Sequence, residues 1–221
     1  MICLAIDCAF PDAVIALGDG ERILMRQFGP QRSHALSIIA ELERLLAEAN
    51  VKAEQLDRIG VGQGPGSFTG LRVALATATG IAQGAGADLV GFSTFDALPL
   101  SAEPTLYAFD ARQGRAYVGL REGEVWSVPP QAMDVSAALE LKTQANLIHG
   151  NASKRYPELS EGMSALERAA HIDPLRALAL TERASTGKPV LPTYKEGAQA
   201  QVLFGSPELG RALDGDELDP T

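Results

Sequence analysis

Asp7 ends the apolar run at residues 2–6, and Asp110 ends a second run at 105–109. Two carboxylates at strand ends across one cleft would suit a magnesium ion or general-base work. The alternative is that each caps a strand end or pairs with a nearby arginine, and Asp110 has Arg112 and Arg115 close in sequence. Between the aspartates lies Gly62-Gln63-Gly64-Pro65-Gly66-Ser67-Phe68-Thr69-Gly70-Leu71-Arg72. Its glycines permit positive φ and close backbone approach. Ser67 or Thr69 can cap the helix that follows, and the N–H groups there would suit an anion. A Walker A loop is excluded because no lysine occurs between Lys52 and Lys142. The dinucleotide fingerprint fails because no βαβ unit precedes the loop. The segment is therefore either a tight strand-to-helix connection or a contact site for a partner or ligand. Ser67 has no evident base, so no nucleophilic triad is predicted and a protease reading gains no support. The residue four places after His34 is Ile38; one imidazole on a helix is poor evidence for a metal, and none is expected.

These residues must be held by regular elements. Strands are predicted at 2–7, 13–17 and 22–28, with a hairpin at Gly18-Asp19-Gly20. A helix follows from His34 to about Asn50, capped by Ser33, with Leu36, Ile39, Leu42, Leu46 and Ala49 as its apolar stripe. A strand at 57–62, a helix from about Gly70 to Gly84 and a strand at 88–92 complete the first half. The order then repeats: strands at 105–110, 115–121 and 124–128, a helix at 131–142, a strand at 145–149 and a helix at 174–187. Residues 150–173 have no clear periodicity. The reading is α/β, an actin-like fold of two similar βββαβα lobes: residues 1–100, residues 101–204, and an acidic, disordered tail at 205–221. In that architecture the cleft holds the nucleotide, so Asp7, Gly64, Gly66, Ser67, Asp110, Arg112 and Arg115 are the candidate cleft contacts. The turn Cys8-Ala9-Phe10-Pro11 has no glycine; Pro11 removes a donor and Phe10 adds bulk, so the phosphate cradle looks damaged and ATP or ADP binding is doubtful.

The helix after the glycine segment is apolar almost all round, with Leu71, Val73, Ala74, Leu75, Ala78, Ile81 and Ala82 interrupted by Arg72, Thr77, Thr79 and Gln83. One side must pack on the sheet. The other is covered either by the helix at 34–50 or by a partner.

The glycine segment closely resembles the hallmark of the TsaB (YeaZ) family. The resemblance extends to Leu4-Ala5-Ile6-Asp7, Arg32-Ser33-His34, residues 91–98, residues 110–117 and Pro192-Thr193-Tyr194, covering about residues 1–195. It implies an actin-like, non-catalytic subunit of the machinery that makes threonylcarbamoyladenosine beside the tRNA anticodon. It implies binding to the catalytic paralogue TsaD through the helices at 34–50 and 70–84, homodimers through the same face, and a further ATPase subunit, TsaE, with tRNA met only through the complex. The expected interface residues are His34, Leu36, Ile38, Leu42, Leu45, Arg72, Leu75, Ala78, Thr79 and Ala82. The rival is a nucleotide-dependent small-molecule kinase or ATPase of the same fold.

Composition agrees with a globular chain: 46% of 221 residues are hydrophobic and 21% charged. The net charge of −9 argues against autonomous RNA binding, although the cations are mostly arginine. No apolar stretch approaches membrane-spanning length, and the first residues read as a strand, not a signal peptide. Cys3 and Cys8 fall on opposite faces of one extended segment, so they are read as reduced thiols in a cytoplasmic protein.

Overall fold

A computed structural model describes residues 1–19, 22–28, 34–166, 172–182, 190 and 191, with the backbone alone at 34–36. The first half runs β1 (Cys3–Asp7), β2 (Ala13–Gly18), β3 (Ile23–Phe28), α1 (His34–Ala49), β4 (Arg58–Gly62), α2 (Phe68–Ala85) and β5 (Asp88–Phe92). Its sheet has the order β3-β2-β1-β4-β5, antiparallel from β3 to β1 and parallel from β1 to β5. After a 3-10 turn at Thr94–Ala97 come β6 (Thr105–Arg112), β7 (Arg115–Glu122), β8 (Val125–Asp134), α3 (Val135–Lys142), β9 (Leu147–His149), β10 (Ser164–Ala165) and α4 (Pro174–Thr181). The second sheet, β8-β7-β6-β9-β10, repeats the first in order and strand sense.

Three differences from the sequence reading have simple causes. β8 continues through Pro129 and Pro130 to Asp134, so α3 starts at Val135 and not at 131. An edge strand can carry proline because one side of its ladder needs no donor. The stretch from 150 to 166 contains two short 3-10 turns and the two-residue β10, too short to leave a periodic signal. In α1 the buried stripe is Ile38, Leu42, Leu45 and Ala49, while Ile39 is 45% exposed. The expected Ser33 cap, residues 183–187 of the expected last helix and the 205–221 tail lie outside the described residues.

Alternation along the strands sorts the core. Leu4, Ile6, Ile15 and Leu17 face α1 and α2. Cys3, Ala5, Val14 and Ala16 face the other way and join Phe92, Phe95, Tyr107, Phe109 and α4. Cys3 and Cys8 are free, buried and in different clusters, as their spacing requires. A third cluster lies between the second sheet and α3. Although α4 follows the second sheet in sequence, it packs on β1, β2, β4 and β5 of the first.

The two halves share apolar packing. Phe10 stacks on Phe109 with centroids 3.7 Å apart, and Phe95 meets both rings edge-on. Arg121, on β7, is buried between Tyr107 and Trp126. Its guanidinium donates to the carbonyls of Phe95, Leu98 and Pro99 in the segment that joins the halves. A buried cation needs such partners to offset its desolvation. Arg176 of α4 adds a bidentate pair with Glu124 and a bond to the Asp96 carbonyl.

The glycine segment is fitted to the turn after β1. A Cβ at Gly62 would meet the Asp7 carboxylate, one at Gly66 would meet Ala9, and one at Gly70 would meet the Cys8 carbonyl. Gly84, in the same helix as Gly70, has open space around it. Gly84→Ala should therefore stabilise the protein by about 1 kcal/mol, the ordinary helix-propensity gain. Gly70→Ala should instead destabilise it by about 2 kcal/mol, because overpacking against fixed backbone exceeds that gain. Urea denaturation of both variants checks this, and shifts of the same sign would refute the close-approach argument.

Candidate functional site

Three places hold the residues singled out by sequence: the buried end of β1, the cleft between the sheets, and the outer face of α1 and α2. At the first, Asp7 is 3% exposed. Its Oδ1 accepts from the Ala9 amide at 2.8 Å and its Oδ2 from the Thr94 hydroxyl at 2.6 Å. Thr94 Oγ1 in turn accepts from the Gly64 amide, where φ is +96°. Asp7 thus ties β1, the glycine segment and the 3-10 turn together. Both its oxygens are engaged inside the first half, which is the strand-end reading and not the cleft pair. Gly64 is likewise buried. Loss of hydration raises the Asp7 pKa from the usual carboxylate value of 3.8 to about 6, and the Thr94 and Ala9 bonds offset only part of it.

The cleft is a cavity of about 380 Å³ lined by Phe10, Gly66, Ser67, Asp110, Arg112, Tyr117 and Asn151, among others. Ser67 caps α2 by accepting from the Gly70 amide. Asp110 is fixed within the second half: its amide donates to Asn151, Oδ1 accepts from the Arg112 amide, and Oδ2 lies 3.5 Å from Arg155. The ion-pair partner of Asp110 is therefore Arg155, which sequence proximity did not single out. Arg115 turns away to Asp134, at 3.9 Å, and the Ala132 carbonyl. Of the seven expected cleft residues, Gly66, Ser67, Asp110 and Arg112 line the cavity, while Asp7, Gly64 and Arg115 do not. Asn151 and Tyr117 were missed as individual residues; Tyr117 stood inside the stretch 110–117 already singled out. Among the described residues no group of three or more His, Cys, Asp or Glu could hold a metal ion.

On the helices, Ile38, Leu42, Leu45, Ala78 and Ala82 are buried inside the first half. They seat α1 and α2 and present no surface of their own, which corrects their expected place in a contact face. Leu75 and Thr79 are half-buried, and Arg72 is exposed with its guanidinium 3.8 Å above the Phe68 ring. The side chains of His34 and Leu36 lie outside the described residues. The exposed face of α2 carries Arg72, Ala76, Gly80, Gln83 and Gly84, and a Cβ at Gly80 or Gly84 would touch nothing among the described residues. Among the described residues no helix is long and apolar enough to cross a membrane.

Two sheets of one order, each with an aspartate at the end or near the end of its first strand and a shared cleft, define an actin-like α/β protein. The family model described as "TsaD: tRNA N6-adenosine threonylcarbamoyltransferase" matches residues 29–199. Proteins named tRNA threonylcarbamoyladenosine biosynthesis protein TsaB are 32% identical over 121 residues in Haemophilus influenzae and in Escherichia coli, covering 52% of this chain. The matches cover 51% and 52% of those proteins, so the chain spans about half the length of the curated relatives it matches. A solved Pseudomonas aeruginosa protein, described as similar to peptidase YeaZ, superposes with a TM-score of 0.71 at 22% identity, covering 87% of this chain and 98% of its own. A second, YeaZ from the same organism, gives 0.64 at 22% identity, covering 81% and 90%. These two establish the likeness of fold. The chain belongs to the TsaB (YeaZ) family, within the reach of the TsaD family model.

The Asp7 shift has a testable sign. Between about pH 4 and 6 the folded protein holds a proton that the unfolded chain has lost. The stability this gives is complete below pH 4 and lost as pH rises through 6, on the order of 3 kcal/mol in all. Asp7→Asn removes that dependence, whatever constant cost it carries at Thr94. Its stability relative to the parent should rise by about 3 kcal/mol from pH 4 to pH 7. Parallel stability curves for the two proteins would mean that Asp7 does not titrate in this range.

Proposed function

We propose that the chain is a non-catalytic subunit in the formation of threonylcarbamoyladenosine on tRNA, and that it binds and supports a TsaD-type transferase. Membership of the TsaB family and the match to the TsaD model support the pathway. The observation that carries the subunit role is the outer face of α2. Ala76, Gly80 and Gly84 stand one helical turn apart, with space where side chains would be. A face that small allows another helix to approach closely, and Arg72 and Gln83 give it a polar rim. The same face would serve a homodimer when the transferase is absent. An ATPase such as TsaE would join at another surface, and tRNA would be met through the complex, in keeping with the net charge of −9. The non-catalytic part of the proposal draws on the end of β1. Asp7 is engaged on both oxygens, and Phe10 fills the turn where phosphates would lie and stacks on Phe109.

Gly80→Leu separates folding from association. The substitution enters open space and should raise the melting temperature of the isolated chain through helix propensity. It should also abolish the discrete complex with the transferase paralogue from the same source in size-exclusion chromatography with light scattering. A stable variant that still forms the complex places the interface elsewhere. A parent chain that ignores the transferase, yet binds magnesium-ATP tightly, would favour the nucleotide-enzyme reading.

A further inference from the structure

The cavity between the sheets contains a polar group that has no hydrogen-bond partner among the described residues. Tyr117, on β7, is 6% exposed and lines this cavity. Among the described residues its hydroxyl makes no hydrogen bond, and it is not among the buried atoms cut off from solvent. A tyrosine buried to that degree ordinarily finds a partner for its hydroxyl. Burial raises its pKa, so at neutral pH it remains a phenol able to donate.

The groups around it share that bias. Asn151 uses its Oδ1 to hold the Asp110 amide, which leaves its amide nitrogen as a donor. The Arg112 guanidinium is exposed and makes no hydrogen bond or ion pair among the described residues. Ser67 accepts from the Gly70 amide and has its hydroxyl hydrogen to give. The amino end of the 18-residue α2 opens on the same cavity through Gly66 and Ser67, adding positive potential. The opposing charge is the Asp110 carboxylate, already engaged by the Arg112 amide and Arg155. Four side-chain donors therefore face one partly neutralised acceptor in a space of about 380 Å³. Phe10 and Pro11 form the wall on the side of the first half.

We propose that this cavity binds a small organic oxyanion, a carboxylate or a phosphomonoester, held by the Tyr117 hydroxyl, Asn151, Arg112 and the amino end of α2. The ligand would bridge the two halves, with Ser67 on the first and Tyr117 and Asn151 on the second. The side-chain donors come from both halves, Ser67 from the first and Arg112, Tyr117 and Asn151 from the second, with no side-chain donor from the turn after Asp7. The site is independent of the helix face that carries the subunit role, so either reading can fail alone.

Isothermal titration of the full chain with inorganic phosphate, succinate and adenosine monophosphate, each against sodium chloride at matched ionic strength, tests the site. Saturable binding of at least one probe is expected. Phosphate and adenosine monophosphate without succinate mark a phosphate ester, and succinate alone marks a carboxylate. Tyr117→Phe should weaken that binding at least about tenfold, as loss of a hydrogen bond to a charged group does. Its melting temperature without ligand should equal the parent's, because the hydroxyl makes no hydrogen bond among the described residues. Arg112→Ala should weaken binding further, and Gly80→Leu should leave it unchanged. The proposal is overturned if none of the three probes binds saturably, or if the phenylalanine variant binds like the parent.

Discussion

The backbone of the glycine segment lies directly against the turn after β1, and the rest of the structure is arranged around that contact. Gly62 leaves room for the Asp7 carboxylate, Gly66 for Ala9, and Gly70 for the Cys8 carbonyl. A side chain at Gly66 or Gly70 would push the start of α2 away from this turn, and one at Gly62 would displace the Asp7 carboxylate. With α2 seated, Ile38, Leu42, Leu45, Ala74 and Ala78 close one core cluster without a gap. With the turn fixed from below, Asp7 is buried, and its carboxylate is held by two hydrogen bonds and by no cation among the described residues. The same turn carries Phe10 across to Phe109. One close approach therefore sets helix position, carboxylate burial and the junction between the halves.

That junction bears on what the cleft can do. Apolar packing that runs through both halves resists separation, because opening would expose Phe10, Phe95 and Phe109 together. Arg121 adds to this, since moving the joining segment would strip a buried guanidinium of its carbonyl partners. Arg176 holds α4 to Glu124 and to the Asp96 carbonyl, so the helix that covers the first sheet is also tied to the second. A protein joined in this way is suited to presenting a fixed shape. A catalyst that must close on a nucleotide has the opposite requirement.

The repeated element order was legible because strands with period-two patterning and strong turn residues recur at the same spacing in both halves. The alternation of Leu4 and Ile6 against Cys3 and Ala5 is readable without coordinates. Burial within α1 was less legible: Ile38 and Ile39 are chemically alike, and only packing decides that Ile38 is buried and Ile39 half out. Pro129 and Pro130 hid the length of β8, since a proline pair looks like a strand end unless the strand is known to be an edge. The site was legible in type and not in partnership. Asp7 and Asp110 stood out by position, but Thr94 and Arg155 as their partners depend on contacts 87 and roughly 45 residues away in sequence. Tyr117 carries no sequence signal as a donor, because its meaning lies in its having no hydrogen-bond partner among the described residues.

The alanine and glycine content of α2 can now be divided by face. Gly70, Ala74, Ala78 and Ala82 are small because the sheet and the β1 turn leave no room beneath them. Ala76, Gly80 and Gly84 are small where nothing crowds them. The first set follows from folding. The second does not: the exposed mid-helix Gly80 costs about 1 kcal/mol relative to alanine, and a Cβ there would meet nothing among the described residues. What the second set shares is position: Ala76, Gly80 and Gly84 recur one turn apart on a single exposed face. Helix-to-helix approach is the requirement that small residues meet, and it gives the outer face of α2 a physical reason to be an interface that the buried residues of the same helix do not share.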